Sequence, residues 1–168
     1  VQVRRWENTE AVPDFGPDGA LCAEGRMRPA AWAWAMELDP DFVVLGDSVY
    51  CYYTWNATGA ESITTRLVTA DANDPNWPAH LNFHGTVINK SDLKGADHCD
   101  VKYRDDLKKF QAIHAAQRMG PDSYIVLWES EDGIHFTRKG EIRDNLKPYL
   151  HNCGWSGDGR GHMRKGVQ

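Results

Sequence analysis

Three aspartates recur at nearly constant spacing along the chain and could act together on one substrate. Asp41, Asp100 and Asp158 are separated by 59 and 58 residues (100 minus 41, and 158 minus 100). Cleavage of a glycosidic bond needs one carboxyl group that protonates the leaving oxygen and a second that acts as base or nucleophile. Converging carboxylates repel each other, which can raise the pKa of one of them so that it keeps its proton. The spacing therefore favours a carboxylate site; the alternative for each aspartate is that it caps a turn or accepts hydrogen bonds from backbone amides at a strand end.

The elements that would position these aspartates form a repeat of four predicted strands. The first pass has strands at residues 42–45, 48–55, 62–70 and 81–88, and the second at 100–103, 108–116, 123–130 and 136–142. Asp41 aligns with Asp100 at an offset of 59 residues, and Ser62 with Ser123 at an offset of 61. A repeat of this size cannot bury its own faces, and units of four strands stack radially in β-propellers. We predict an all-β fold of two to three four-stranded antiparallel blades, with an eight-stranded β-sandwich as the alternative.

The chain divides into an irregular N-terminal segment, residues 1–35, and a partial propeller domain, residues 36–168. The predicted blade units cover about residues 39–90 and 98–145, and a third opens at about residue 151. A propeller places the first strand of each blade around a central channel, so the three recurring aspartates would face one funnel. Because a propeller needs four or more blades, we predict an incomplete one, to which another chain or further copies of this chain would add blades.

Several aromatic side chains occupy strand positions or matched sites of the repeat, and we expect them to pack mainly between the sheets. They are Tyr50, Tyr52, Trp77, Trp128 and Phe136.

Composition excludes some classes of partner. The net charge of −5 argues against nucleic-acid binding, which needs a clustered basic surface, and the basic runs at residues 4–5 and 160–165 are short. No apolar stretch reaches the roughly 18–20 residues of a membrane-spanning helix. The first residues do not match a signal peptide. Because Val1 is not an initiator methionine, the compartment stays open, with an extracellular or periplasmic location favoured.

The four cysteines are far apart and form no Cys-x-x-Cys pair; they are Cys22, Cys51, Cys99 and Cys153. We expect buried or semi-buried free thiols. Two disulfides in a secreted protein are an alternative. A zinc site is a further one, although its spacing matches no recognised zinc pattern; its ligands would be His98, Cys99, His151 and Cys153.

Three stretches carry a resemblance to a known family. Residues 39–54, DPDFVVLGDSVYCYYT, resemble the first-blade pattern of the five-bladed propeller glycoside hydrolases, the superfamily of arabinofuranosidases, β-xylosidases and fructan-processing enzymes. Residues 100–110, DVKYRDDLKKF, resemble the strand pair of their second blade. Residues 130–136, SEDGIHF, are similar to the Ser-x-Asp-Gly-x-x-Trp/Phe turn between their outer strands. The resemblance covers about residues 36–160.

The resemblance implies a base on the first blade, a pKa-tuning aspartate on the second and an acid on the third. Carried over, the base is Asp41 or Asp39 and the tuning residue is Asp100. The acid is Asp158, where the family usually has glutamate, or else His151. The residues implied for sugar contacts are Asp39, His98, His151, Trp55 and Trp155, with core or edge packing as the alternative for the tryptophans and His98.

The resemblance also implies a function. It predicts a glycoside hydrolase-like protein that cleaves or binds a poly- or oligosaccharide. The alternative is a non-catalytic carbohydrate-binding module or a structural propeller fragment. No cofactor is required by this chemistry, although members of the family can hold a calcium ion in the channel.

Overall fold

The computed structural model describes residues 41–56, 63–90, 93, 96 and 98–163. Its strands are β1 (Asp41–Leu45), β2 (Ser48–Asn56), β3 (Ile63–Asp71), β4 (Asn82–Asn89), β5 (Asp100–Arg104), β6 (Lys109–Ala116), β7 (Tyr124–Ser130), β8 (Thr137–Ile142) and β9 (His162–Met163). A short 3-10 helix, Trp77–Ala79, precedes β4. The predicted all-β class is confirmed, and the strands follow the predicted order.

The strands form two sheets, in which β1 to β4 and β5 to β8 are antiparallel neighbours in chain order and β9 adds to β5 as a parallel strand. One has the order β1-β2-β3-β4, and the other has the order β8-β7-β6-β5-β9. Tight turns set the register: Gly46, at φ +60°, lets Leu45 pair with Ser48. Residues 110–116 of β6 are all buried because that strand is central in its sheet, whereas β8 is mostly exposed at an edge. Two blade-like units are therefore present, as the repeat predicted.

Apolar side chains between the two sheets form the main core. Its fully buried members are Val43, Tyr52, Leu67, Ile88, Cys99, Val101, Phe110 and Ala112. The Tyr52 hydroxyl donates a hydrogen bond to the Gly133 carbonyl oxygen at 2.8 Å and so ties the first sheet to the β7–β8 turn of the second. Burial of this apolar surface is the dominant favourable contribution to holding the sheets together.

Most of the predicted inter-sheet aromatics join this core. Tyr50, Trp128 and Phe136 are half-buried and pack against it, and Phe136 meets Tyr52 edge-on with ring centroids 5.9 Å apart. Trp77 differs. Its ring packs edge-on against the Phe42 ring, with centroids 6.3 Å apart. Because successive side chains of a strand point to opposite faces, Phe42 lies on the face of β1 opposite the core residue Val43.

The segment of residues 150–163, called here the crossing segment, returns from the second sheet to the first. The Val44 N–H donates to the Arg160 carbonyl oxygen at 2.9 Å, and the Tyr103 N–H donates to the Gly161 carbonyl oxygen at 2.9 Å. Its last residues form β9, which pairs parallel with β5 and sets His162 opposite Tyr103. That offset of 59 (162 minus 103) equals the offset between Asp41 and Asp100. A third blade opening near residue 151 stays a prediction.

Gly161 allows this crossing. Its φ of +78° lies in the left-handed region, and a Cβ atom there would overlap the Phe42 carbonyl oxygen. The described part of the chain contains no helix long and apolar enough to cross a membrane.

Candidate functional site

The first strands of the two sheets lie against each other, and each begins with an aspartate. β1 starts at Asp41 and β5 at Asp100. Asp41 Oδ2 accepts a hydrogen bond from the backbone N–H of Val101, and Asp41 Oδ1 accepts one from the N–H of Phe42 at 3.1 Å. The fold thus brings together two of the three recurring aspartates, at the same end of adjacent strands.

Lys102 links the two carboxylates with one ammonium group. Its Nζ lies 2.8 Å from Asp41 Oδ1 and also donates to Asp100 Oδ1. The side chains of Lys102, Asp41 and Asp100 are 13%, 14% and 9% exposed, so little water screens the interaction. Removing the cation from such a buried arrangement would leave two uncompensated carboxylates, which is strongly unfavourable.

The electrostatics of this cluster raise the pKa of Asp41. Burial, the largest cause, and the neighbouring carboxylate of Asp100 together raise the pKa of Asp41 from the ordinary 3.8 to about 7, against the opposing effect of Lys102. Burial lowers the pKa of Lys102, but the attraction of Asp41 and Asp100 outweighs burial and leaves this pKa raised. A carboxyl group that titrates near neutral pH is suited to general acid–base chemistry.

The crossing segment occupies the remaining oxygen of Asp100. The backbone N–H of Trp155 donates to Asp100 Oδ2. This approach needs a glycine beside it, because a Cβ on Gly154 would lie 2.8 Å from Asp100 Oδ2. Three residues after Gly154, a Cβ on Gly157 would lie 3.0 Å from Cδ of Lys102. Both oxygens of Asp100 therefore accept hydrogen bonds, which fixes its orientation.

The other predicted polar site residues lie apart from this pair or outside the described residues. Asp158 is exposed, and its Oδ1 caps a turn by accepting the N–H groups of Arg160 at 2.9 Å and His162 at 3.0 Å. His151 is exposed, with Nε2 3.4 Å from Nη1 of Arg118. Two residues before Asp100, His98 is half-buried. Asp39 lies outside the described residues.

The two predicted tryptophans are half-buried and take different roles. Trp55 lies three residues beyond Tyr52, the β2 partner of Asp41, so it is at the carboxylate end of the first sheet. The guanidinium carbon of Arg66 lies 4.5 Å from the Trp55 ring centroid and covers one ring face. Trp155 contributes its backbone amide to the site. Sugar stacking by either ring stays a prediction.

The cysteines that the structure describes are free thiols, as expected for Cys51, Cys99 and Cys153. Burial raises the pKa of Cys99 to about 11 and the pKa of Cys51 and of Cys153 to about 12. Cys22 lies outside the described residues. Within the described ranges, no group of three or more His, Cys, Asp or Glu side chains is placed to hold a metal ion.

A surface cavity of about 330 Å³ lies elsewhere. Its lining includes Lys109, Glu129 and Asp132. Lys109 pairs with Arg104 at the end of β5, whereas Asp100 begins that strand. The cavity is therefore at the opposite end of the second sheet from the carboxylates, and the buried pair is the better candidate for chemistry.

Sequence reasoning did not single out Lys102. The signal was present, because alternation along a strand places residues 100 and 102 on one face of β5. Its reach to Asp41 depends on β1 and β5 being neighbours, which the repeat alone did not specify. The amide of Trp155 has no sequence signal of any kind, because every residue except proline carries an N–H group.

Comparison with solved structures finds larger proteins that this chain resembles. An exo-β-1,3-galactanase from Clostridium thermocellum matches with a TM-score of 0.53 and 13% identity, over 79% of this chain and 26% of that chain. An α-L-arabinofuranosidase from Podospora anserina, solved in complex with cellotriose, matches with a TM-score of 0.42 and 14% identity, over 76% of this chain and 35% of that one. No protein family matches the sequence, and no curated protein matches it.

These matches concern the fold. The predicted resemblance to five-bladed propeller glycoside hydrolases is confirmed at that level, by the galactanase match. This chain spans about a quarter of the galactanase and about a third of the arabinofuranosidase.

Proposed function

We propose that this chain supplies two blades of a carbohydrate-active propeller protein, with Asp41 and Asp100 as part of a glycosidase site. One observation carries the proposal: two buried carboxylates meet at the start of adjacent first strands, and Lys102 links them. Glycoside cleavage requires one carboxyl group as base and another as acid; Asp41, with a pKa raised to about 7, is suited to the base role, and the fold is one that glycoside hydrolases use.

Asp41 is the proposed base and Asp100 the residue that orients it and tunes its pKa. As base, Asp41 takes a proton from water while the water oxygen bonds to the anomeric carbon. The glycosidic C–O bond breaks, and an acid gives a proton to the leaving oxygen. Asp41 and Asp100 both accept hydrogen bonds on each oxygen, so the division of roles rests on the raised pKa of Asp41, which suits that residue to act as the base. Asp158 remains the proposed acid, and its place on an exposed turn leaves it accessible to a substrate.

A second candidate function is carbohydrate binding without cleavage. The observation that favours it is the number of hydrogen bonds that the carboxylates already accept. Asp100 has a donor on each oxygen, and the Oδ1 atom of Asp158 caps a turn. A binding role needs no proton transfer, and the proposed cleavage needs an acid as well as a base. Neither function requires a cofactor.

The two candidates are separated by comparing the wild type with Asp41→Asn on aryl α-L-arabinofuranosides, β-D-xylosides and β-D-galactosides. Loss of a general base costs about 10²- to 10⁴-fold in turnover. Asp47→Asn is the matched control, because Asp47 is exposed in the turn at the other end of β1. Wild-type kcat/KM should rise with pH toward a plateau above about 7, since the base must be ionised and the pKa of Asp41 is about 7.

Equal turnover in the wild type and Asp41→Asn would disprove the base assignment. Glycan binding without turnover in the wild type would establish the second candidate. Absence of both binding and turnover would reject both functions.

A further inference from the structure

Two loops stand at the carboxylate end of the second sheet. Asp100 pairs with Ile113 in β6, and that strand continues three residues further to Ala116 before residues 117–123 form the first loop. At about 3.3 Å per residue, this loop begins about 10 Å beyond Asp100. The second loop, residues 143–151, leads from β8 into the crossing segment. Both loops therefore lie at the same end of the second sheet as the carboxylates.

Hydrogen bonds join the two loops to each other. The N–H of Met119 donates to the Leu150 carbonyl oxygen at 2.8 Å, and the N–H of Tyr149 donates to the Gly120 carbonyl oxygen at 3.0 Å. The N–H of Leu150 also donates to Ser123 Oγ at 2.9 Å. These bonds hold the backbone of Met119 and Tyr149 in a defined position at the carboxylate end of the second sheet.

Met119 and Tyr149 combine a strained backbone with an exposed side chain. Both have φ of +63°, and their side chains are 61% and 62% exposed. The left-handed region costs a residue other than glycine roughly 1–2 kcal/mol, and large apolar side chains are uncommon there. Neither residue recovers this cost by burial. An outlier of this kind points to a use for the side chain.

We propose that Tyr149, with Met119 beside it, is a stacking platform for one sugar ring of a bound oligosaccharide. The proposal rests on the proposed carbohydrate function and names a further subsite of it. An exposed aromatic face matches the apolar C–H face of a sugar ring, and the phenol hydroxyl can bond to a sugar hydroxyl. Arg118, which precedes Met119, and His151, two residues after Tyr149, bring polar groups to the same end of the sheet.

The platform is apart from the carboxylates but connected to them. Tyr149 precedes Trp155, whose N–H binds Asp100, by six residues. That stretch of chain spans at most about 20 Å. Because the first loop begins about 10 Å beyond Asp100, the platform would hold a sugar away from the cleaved bond, and longer oligosaccharides should gain more from it than short ones.

The test measures binding of arabino-, xylo- and β-1,3-galacto-oligosaccharides, as trimers and hexamers, by calorimetry. Tyr149→Ala should weaken hexamer binding about 2- to 10-fold, the range expected for one aromatic contact, and change trimer binding less. Tyr149→Phe should retain most of the affinity. Leu107→Ala is the matched control, because Leu107 is also exposed, at 46%, but lies in the turn at the opposite end of the sheet.

Tyr149→Gly separates binding from folding. Glycine adopts a positive φ without strain, so this variant should match or exceed the wild type in stability and still lose affinity like Tyr149→Ala. A platform with no part in binding would show equal affinity in all variants, and that result would overturn the proposal. So would a wild type that binds no member of the panel, or a Tyr149→Ala variant that changes the oligomeric mass instead of affinity.

The experiments can disprove the platform proposal and the base assignment independently. If Asp41→Asn keeps full turnover while Tyr149→Ala weakens binding, the base assignment is wrong and the platform stands. If Asp41→Asn loses turnover while Tyr149→Ala binds normally, only the platform is wrong.

Discussion

Stability should respond to pH in a way that identifies Asp41. Burial raises the pKa of Asp41 from 3.8 to about 7. Between these values the folded chain keeps a proton on Asp41 that the unfolded chain has lost. Folding stability falls with rising pH wherever the folded state binds more protons. The Asp41 contribution is therefore fully present below about pH 4 and is lost as the pH rises through about 7.

The size of the effect follows from the same two values. The difference between 3.8 and about 7, at 1.36 kcal/mol per pH unit, gives an upper limit of about 4 kcal/mol. The Asp41 side chain is 14% exposed, so partial solvation reduces this figure. Asp74 and Asp132 change stability with pH in the opposite direction, because the pKa of each is lowered. A hydrogen bond with His80 lowers the pKa of Asp74. Burial would raise the pKa of Asp132, but hydrogen bonds with His135 outweigh burial and lower it.

Asp41→Asn isolates the contribution, since it removes the titrating group at nearly constant volume and leaves the other groups in place. Urea unfolding followed by tryptophan fluorescence, from pH 4 to 8 at fixed ionic strength, gives the free energy of unfolding of each protein. The variant should gain stability relative to the wild type as the pH rises to about 7, by as much as about 4 kcal/mol, and the difference should then level off. A difference that is independent of pH, or that changes in the opposite direction, would refute the reasoning.

Two further substitutions test the packing around the site. Lys102→Met leaves both buried carboxylates without their cation, and we expect the free energy of unfolding to fall by about 3–5 kcal/mol at pH 8. Lys102→Arg keeps the charge and should lose less. Equal urea midpoints for the wild type and Lys102→Met would contradict the role of Lys102 as a link between the carboxylates. Gly161→Ala should lower the melting temperature strongly, because its φ is +78° and its Cβ would overlap the Phe42 carbonyl oxygen. Gly159→Ala, with nothing within 4 Å of its Cβ, should stay within about 0.5 kcal/mol of the wild type. Similar melting temperatures for the two glycine variants would show that the crossing segment does not pack against β1.

The strand order was predictable because its signals are local. Strand-forming residues alternate between the two faces of a sheet, and Gly46 and Gly133 mark turns that only a positive φ can complete. The two passes repeat these signals at nearly the same spacing, so both units were found from the sequence. The segment from residue 150 onward lacks such alternation, and its path was not predicted.

The candidate site was predictable in part. Asp41 and Asp100 were found because the repeat gives them equivalent positions, and the structure brings them together. Asp158 has matching spacing along the chain, but in the described structure its carboxylate caps a turn by accepting backbone N–H groups. Spacing along the chain reports the repeat, and it does not report which way a side chain points. The catalytic roles of all three aspartates stay predictions.

The sequence by itself determined the all-β class, the repeated unit of four strands and the aspartate at the head of each, because turns and alternation act over a few residues. Only the tertiary structure decided that Lys102 links the two carboxylates and that the amide of Trp155 holds Asp100. These contacts join residues 61 and 55 positions apart. The burial that raises the pKa of Asp41 likewise exists only once the sheets have packed, since desolvation is a property of the assembled core.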